Sequence, residues 1–148
     1  MENLNEFLNS YNEVEHFSAL NNQNIYVSYS GDYKENPINH VHNSCELLFI
    51  EQGGGEYKIR GQQYHIEKNG VLIIGGTDPH SRRFTQVPCI RYGLTVLPAF
   101  LQSLPIINGY MNVYRTHSPE EAIKLQGIDD VTFGRMVSII WQLREEIK

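Results

Sequence analysis

The sequence predicts a mainly β domain, a closed barrel of strands followed by C-terminal α-helices. Between residues 25 and 96, short β-branched and aromatic runs alternate with turns that carry glycine or proline, as an all-β sandwich or barrel requires. After Pro98 the apolar residues recur at helical spacing instead. Closing strands on one another removes exposed sheet edges and encloses an interior that can hold one small ligand.

Composition limits the functional classes. A chain of 148 residues suits one domain with a full hydrophobic core. Its 12 basic and 17 acidic residues give a net charge of −5, so we do not expect it to bind a nucleic-acid backbone by itself. It has no signal peptide and no apolar run near about 18 residues, which predicts no membrane interaction. Two cysteines predict reduced thiols in a cytoplasmic protein.

The first predicted element is an N-terminal arm, residues 1–24, which is rich in Asn and Glu. The arm is either a helical clasp over the barrel or a partly ordered tail. Strands are predicted at 25–30, 45–52, 55–60, 63–67, 71–74, 81–85 and 90–96. Three turns separate some of them: a hairpin at Gly53-Gly54-Gly55, a second at Gly61-Gln62 and a third at Lys68-Asn69-Gly70. Residues 25–98 thus form the predicted barrel.

Residues 99–148 are predicted to be helical. Phe100, Leu101 and Leu104 have helical spacing until Pro105, and a second helix begins at Ser118 and ends at Gly127. Asp130 is expected to cap the last helix. Its apolar positions recur at spacings of four, three and four residues, which predicts one continuous stripe: Met136, Ile140, Leu143 and Ile147.

One cluster of side chains carries candidate chemistry. His40 and His42 are two residues apart and so share a face of an extended strand, and Glu46 returns to that face. A second segment, about thirty residues on, ends at His80. We expect the two segments to be halves of one concave site. Three imidazoles and one carboxylate are ligands that suit Mn, Fe, Ni or Zn.

These motifs resemble the cupin superfamily. His40, His42, Glu46 and Gly53 fit the cupin pattern H-x-H-x3-E-x6-G. The second segment, residues 70–80, is a looser match to the superfamily, in which Gly70 and His80 fit. From about residue 26 to the C-terminus, the chain resembles the N-terminal, effector-binding cupin domain of AraC-type transcription regulators. The resemblance implies a cupin-type β-barrel, also called a double-stranded β-helix or jelly roll.

The resemblance implies a small-molecule-sensing and dimerisation domain rather than an enzyme, with no required cofactor. His40, His42, Glu46 and His80 would then line the effector pocket. The alternative is a metal-dependent cupin enzyme, a dioxygenase or isomerase, in which the same four side chains hold a divalent metal. A sugar-binding or storage-type cupin without a regulatory partner is a third hypothesis.

Two arginines are further candidates for ligand binding. Arg82 shares the face of His80 if the strand is regular, and an inward arginine would suit a carboxylate, a phosphate or a sugar acid. The other interpretation of Arg82 is an exposed side chain at the barrel mouth. Only one of Arg91 and Tyr92 can face the interior, and the resemblance favours Arg91. The expected effector is thus a small molecule, a sugar or a small acid.

The apolar stripe of the last helix has two interpretations. It folds back on its own barrel, or it pairs with its copy in a homodimer, as in the resembling family. Four buried apolar side chains, at about 1.5–3 kcal/mol each, are enough to drive pairing. The sequence ends within this helical pattern, so we expect either the first part of a longer regulator, whose C-terminal helix-turn-helix domain contacts DNA, or a stand-alone domain.

Overall fold

The structure, a computed structural model, describes residues 24–32, 36–41, 43–103 and 124–147, with the backbone alone at 32 and 36–40. The strands of this part of the chain are β1 (Ile25–Asp32), β2 (Asn36–His40), β3 (Cys45–Ile59), β4 (Gln62–Glu67), β5 (Gly70–Ile74), β6 (His80–Val96) and β7 (Lys124–Leu125). Its helices are α1 (Pro98–Ser103) and α2 (Asp130–Glu146). The predicted fold class, mainly β with C-terminal helices, is confirmed.

The two long strands β3 and β6 organise the sheet. They pair antiparallel along their whole length, from Cys45 opposite Val96 to Ile59 opposite His80. β1 and β2 lie on the far side of β6, while β4 and β5 lie on the far side of β3, and β7 extends the sheet beyond β5. Every pairing among these seven described strands is antiparallel.

The sheet folds over on itself and encloses an interior. Ile59, the register partner of His80, is thirteen residues from Glu46 on β3, which is about 43 Å along a straight strand. Yet the imidazole of His80 lies 3.9 Å from the carboxylate of Glu46. The two halves of β3 and β6 therefore face each other as two layers. The first layer holds the first half of β3 and the second half of β6.

The layers join at a bend in β3. Register shifts between Ile50 and Gly55 mark the bend, and Gly53 has a φ of 71°. A Cβ at Gly53 would collide with the carbonyl oxygen of Pro88, and one at Gly55 would lie 2.5 Å from that of Arg83. The predicted hairpin at this site is wrong, because these glycines let neighbouring backbones approach closely within one continuous, bulged strand.

The other two turns are close to their predicted positions. Arg60 and Gly61, with φ of 52° and 83°, form the reversal between β3 and β4, one residue earlier than expected. Asn69, with a φ of 60°, donates its backbone N–H to the carbonyl of Ile50 at 2.8 Å. β4 and β5 both pair with β3, on successive parts of that strand. The turn before Gly70 therefore connects two strands that lie along the same edge of β3, and it is not a hairpin. The separately predicted strands 81–85 and 90–96 are one strand, β6.

Among the residues that the structure describes, two apolar clusters form the core. The interior cluster lies between the layers and contains Ile50, Tyr57, Ile59, Ile66, Leu72, Ile74, Phe84 and Cys89. The second, which we call the outer cluster, lies between the first layer and α2 and contains Val27, Phe49, Val71, Tyr92, Leu94, Val96, Phe133 and Ile140. Each cluster uses alternate residues of the same strands, as the two-residue period of a strand dictates.

The C-terminal elements differ from the prediction in detail. Asp129 rather than Asp130 caps α2, because Asp129 is extended and its Oδ1 accepts the backbone N–H of Thr132 at 2.9 Å. Lys124 and Leu125, expected in a helix that ends at Gly127, form β7 instead. The helix start at 118 and the arm before residue 24 lie outside the described residues. The predicted division into 1–24, 25–98 and 99–148 stays a prediction.

Within the described ranges, neither helix is long and apolar enough to span a bilayer.

Candidate functional site

Alternation along β6 decides which side chains reach the interior. Arg91, Gly93 and Thr95 line a cavity between the layers. Their neighbours Tyr92 and Leu94 face the outer cluster. The ambiguity between Arg91 and Tyr92 in the sequence is thereby resolved: the arginine points inward.

The cavity is small and mostly polar. Its volume is about 30 Å³, room for a few water molecules. Both layers contribute to its wall, which consists of Ser28, Ser30, Glu46, Leu48, Tyr57, His80, Arg82, Arg91, Gly93 and Thr95. Four of the six residues predicted to bind a ligand, namely Glu46, His80, Arg82 and Arg91, are among them.

His80 and Glu46 form one end of the cavity. The Nδ1 atom of His80 donates to the backbone carbonyl of Asp78 at 2.8 Å, because a carbonyl oxygen only accepts. In the neutral ring the Nε2 atom then carries a lone pair, and it lies 3.9 Å from Oε2 of Glu46. This geometry presents an imidazole nitrogen and a carboxylate oxygen side by side to whatever occupies the cavity.

The other two histidines of the motif are only partly placed. The backbone of His40 is the register partner of His80 across β2 and β6. The side chain of His40, and all of His42, lie outside the described residues. Over the described part of the chain, no group of three or more His, Cys, Asp or Glu side chains is arranged to hold a metal ion. His80 and Glu46 are donors of the right type, and the four-ligand metal site stays a prediction.

Two guanidinium groups form the other end. Their central carbons lie close to the ring of Phe84, Arg82 at 5.8 Å from its centroid and Arg91 at 5.2 Å. Arg91 is only 4% exposed, whereas Arg82 is half-buried. Arg82 is therefore part of the cavity wall and not the exposed residue at the barrel mouth that the sequence also allowed.

The wall includes residues that the sequence analysis did not select. Ser28, Ser30 and Thr95 supply hydroxyl groups, and Tyr57 supplies another. Every second residue of a strand shares a face, so Thr95 lies on the same face of β6 as Arg91. Ser30 of β1 is the register partner of Arg91. The residues alone did not decide whether Arg91 faces inward, and the position of β6 between the cavity and the outer cluster decides it.

Cys45 lies beside Glu46 but is not suited to nucleophilic chemistry. Its side chain is buried, and burial raises the pKa of the thiol to about 11. At neutral pH the group is a protonated thiol, which packs as a small apolar side chain.

The predicted dimer-interface residues lie on the face of α2 that packs on the barrel. Ile140 is 4% exposed and belongs to the outer cluster, and Met136, Leu143 and Ile147 are half-buried against the same cluster. A side chain already buried in its own chain offers little area to a partner. The stripe thus serves the core of this chain, and a dimer through these four residues stays a prediction.

A carboxylate lies beneath α2, on the opposite side of the first layer from the cavity. Glu51 accepts the hydroxyl of Tyr29 at 2.9 Å and that of Tyr92 at 3.3 Å. The two tyrosine rings lie 4.6 Å apart, and the ring of Trp141 lies 5.7 Å from Tyr92. Burial first, and then the neighbouring Glu51, raises the pKa of Tyr29 well above its ordinary value. Sequence reasoning did not identify this cluster, which only the pairing of distant strands assembles.

Several solved structures are similar to this chain. ToxT from Vibrio cholerae is 12% identical over 80% of this chain and 48% of its own, with a TM-score of 0.53. ToxT from Vibrio cholerae O395, bound to (E)-4-(8-methylnaphthalen-1-yl)but-3-enoic acid, is 15% identical over 83% of this chain and 49% of its own, with a TM-score of 0.55. A cupin protein from Bacteroides fragilis is 17% identical over 65% and 80%, with a TM-score of 0.45. The chain thus spans about half the length of ToxT.

Sequence comparison identifies the family. No curated protein matches the chain significantly. The family described as the AraC-like ligand binding domain matches residues 22–126, which include every described strand of the sheet and the whole wall of the cavity. The resemblance seen in the motifs is confirmed, and the chain belongs to the AraC-like ligand binding domain family.

Proposed function

We propose that this chain is the effector-sensing domain of an AraC-type transcription regulator, and that the effector binds in the cavity between the two layers. The observation that carries the proposal is the cavity wall, in which charged and hydroxyl side chains from both layers converge in an otherwise apolar interior. Binding sites combine enclosure with a few convergent polar groups, which is the arrangement found here. The effector is a small molecule, a sugar or a small acid.

The mechanism is a shift between two conformations. An effector that contacts both layers favours the conformation in which they are closed around it. Because β6 lines the cavity with Arg91 and supports α2 with Tyr92, the same strand links the cavity to the C-terminal helix. We propose that a DNA-binding domain joined beyond α2 responds to this change.

Homodimerisation through the C-terminal segment is part of the proposal. The support is the partial exposure of Met136, Leu143 and Ile147, which leaves some apolar area at the edge of the outer cluster. Light scattering at protein concentrations of tens of micromolar tests the association. A monomer throughout that range would contradict it.

The sensing proposal is tested by thermal unfolding in the presence of sugars and small acids. We expect at least one compound to raise the melting temperature of the wild type, because a ligand that binds only the folded state stabilises it. Ser28→Leu, which fills the cavity, should remove that shift. Ser138→Leu, on the exposed side of α2, is the control and should keep it. Equal shifts in both variants would place binding elsewhere.

A metal-dependent cupin enzyme is the second candidate, and the 3.9 Å approach of His80 and Glu46 favours it. The test is metal analysis of protein purified without a histidine tag. Near-stoichiometric Fe, Mn, Ni or Zn that is lost in His80→Ala would support the enzyme, because an imidazole nitrogen is a ligand these ions prefer. For the sensor we expect well below one metal per chain.

A further inference from the structure

The short connection between β5 and β6, residues 75–79, leads directly into His80. Asp78 lies in this connection and is only 1% exposed. Its two carboxylate oxygens have different partners: Oδ2 accepts the backbone N–H of Gly75 at 2.8 Å, and Oδ1 lies 3.6 Å from Nε of Arg60. A buried carboxylate is costly unless such partners satisfy it, so these contacts define where the side chain of Asp78 lies.

The backbone of Asp78 is fixed as well. Its N–H donates to the carbonyl of Gly75 at 3.1 Å, so Asp78 binds both the N–H and the carbonyl of that glycine. The ring of Pro79 fixes its own φ and restricts the backbone of the residue before it. The carbonyl of Asp78, which accepts the Nδ1 proton of His80 at 2.8 Å, is thus held in a defined place beside the imidazole.

The reversal between β3 and β4 holds the connection from the other side. The backbone N–H of Arg60 donates to the carbonyl of Pro79 at 2.8 Å, and its guanidinium faces Asp78. Arg60 and Gly61 both have positive φ, and a two-residue reversal of this kind favours Asn, Asp or Gly at its first position. Arginine is an unfavourable residue for the turn alone, and its two contacts with the connection offset that cost.

We propose that Asp78 and Arg60 are positioning residues for His80. Together they hold the carbonyl that accepts the Nδ1 proton, and this selects the neutral form of the ring in which Nε2, beside Glu46, carries the lone pair. A histidine side chain in water favours the opposite form, with the proton on Nε2. The two positioning residues therefore decide whether His80 presents an acceptor or a donor to the cavity. The inference rests on the proposed function only in taking this cavity as the effector site.

The test is an NMR correlation of the imidazole protons with the ring nitrogens, whose shifts report the ratio of the two neutral forms. It is recorded without ligand and with EDTA at about pH 8.5, where an ordinary histidine is neutral. His80→Ala assigns the signal, and we expect the Nδ1–H form to predominate in the wild type. Asp78→Ala should lower the ratio of Nδ1–H to Nε2–H by about tenfold, the effect of one lost hydrogen bond on an equilibrium.

Two further variants test the contact with Arg60. Asp78→Asn keeps an oxygen for the N–H of Gly75 but loses the charge opposite Arg60, so it should lower the ratio by only about threefold. Arg60→Met should give the same change, and the double variant should be no worse than either single one, because both remove one contact. The side chain of Arg60 is 33% exposed, so Arg60→Met decides the outcome if Asp78→Ala is unfolded.

Asp129→Ala is the matched control. It also removes an aspartate oxygen that accepts a backbone N–H, that of Thr132 at 2.9 Å, but it does so at the start of α2. It should lower the free energy of unfolding without changing the ratio at His80, which distinguishes positioning from a general loss of stability.

Two results would overturn the inference: a wild-type ring with its proton on Nε2, or a ratio that is unchanged in folded Asp78→Ala and in Arg60→Met. Both concern the protein without ligand, so neither decides the sensing proposal, which the shifts of melting temperature test separately. A lowered ratio in the Asp78 and Arg60 variants, with the control unchanged, supports the inference.

Discussion

The two faces of the first layer differ in chemistry, although neighbouring residues on each strand alternate between them. On the cavity face, Ser30 and Arg91 are a register pair, and the next pair along, Tyr29 and Tyr92, lies under α2. Around this pair the first face is polar and borders the cavity, whereas the second face is aromatic and closely packed. The same strands thus serve binding on one side and stability on the other.

This division has a mechanical consequence. Well-packed interiors transmit displacement, because side chains in contact cannot compress independently. A ligand that moves the backbone at Arg91 must also move Tyr92, which contacts Trp141 of α2. The comparison predicts that changes on the outer face alter stability, while changes on the cavity face alter binding.

The largest expected effect is at the bend where β3 passes from one layer to the other. Gly53→Ala should lower the free energy of unfolding by about 3 kcal/mol or more, because it combines a positive φ with a collision against the backbone of Pro88. Gly61→Ala is the control, since Gly61 also has a positive φ but nothing within 4 Å of an added Cβ. It should cost only about 1–2 kcal/mol. Urea denaturation measures both, and equal losses would mean that crowding at the bend is unimportant.

The next effect tests the outer face through two adjacent isoleucines. Ile140→Ala should cost about 2–4 kcal/mol, because Ile140 is buried in the outer cluster and its truncation leaves a cavity. Ile139→Ala should cost less than about 0.5 kcal/mol, because Ile139 is 63% exposed. Chemical denaturation of both variants is the measurement. A larger loss for Ile139 would show that α2 packs through its other side.

A smaller effect comes from the carboxylate beneath α2. Tyr29→Phe removes the hydroxyl that Glu51 accepts at 2.9 Å and should cost about 1 kcal/mol. Tyr64→Phe is the matched control, because the hydroxyl of Tyr64 donates to Gln62 at an exposed position. Its loss should be close to zero. Unfolding curves at neutral pH compare the two variants, and equal stability of all three proteins would contradict the role of Glu51.

The same cluster predicts a pH dependence. The pKa of Tyr29 and the pKa of Tyr92 are raised in the folded protein, chiefly by burial, so above pH about 10 the unfolded chain releases protons that the folded chain retains. Stability should therefore be fully present below this pH and fall as the pH rises through the raised values. Absorbance at 295 nm should show tyrosines that ionise later than the exposed ones, and one fewer of them in Tyr29→Phe.

The smallest effect is on the solvent-facing side of the second layer. His65 lies 2.7 Å from Glu67 and 2.7 Å from Glu56, and these contacts raise its pKa above the ordinary value. The contribution to stability is present at low pH and lost as the pH rises through the raised pKa. It should stay below about 1 kcal/mol, because the side chain of His65 is 44% exposed.

Proton NMR titration measures the pKa of His65 directly. Glu67→Gln should lower it, because the contact with Glu67 is the largest cause of the shift. Glu146→Gln, at the end of α2, should not change it. An unchanged pKa in Glu67→Gln would contradict the ion pair.

The local patterns predicted the elements better than their connections. The period-two runs located the strands, and the spacing of Met136, Ile140 and Leu143 located the apolar side of α2. The glycines at 53–55 were misinterpreted, because a hairpin and a bulge need the same backbone freedom and differ only in what lies beside them. Asp129 and Asp130 are equivalent as caps in the sequence, and only the backbone conformation selects Asp129.

The sequence by itself determined the family and the mainly β class, because motif spacing and side-chain period are local properties of the chain. Only the tertiary structure decided that Arg91 faces the cavity, that Arg82 and Arg91 share the ring of Phe84, and that Tyr29, Tyr92 and Glu51 meet under α2. These contacts join residues that are far apart in the chain. They exist because the sheet folds back on itself at the bend in β3, and no local pattern specifies which side chains then meet.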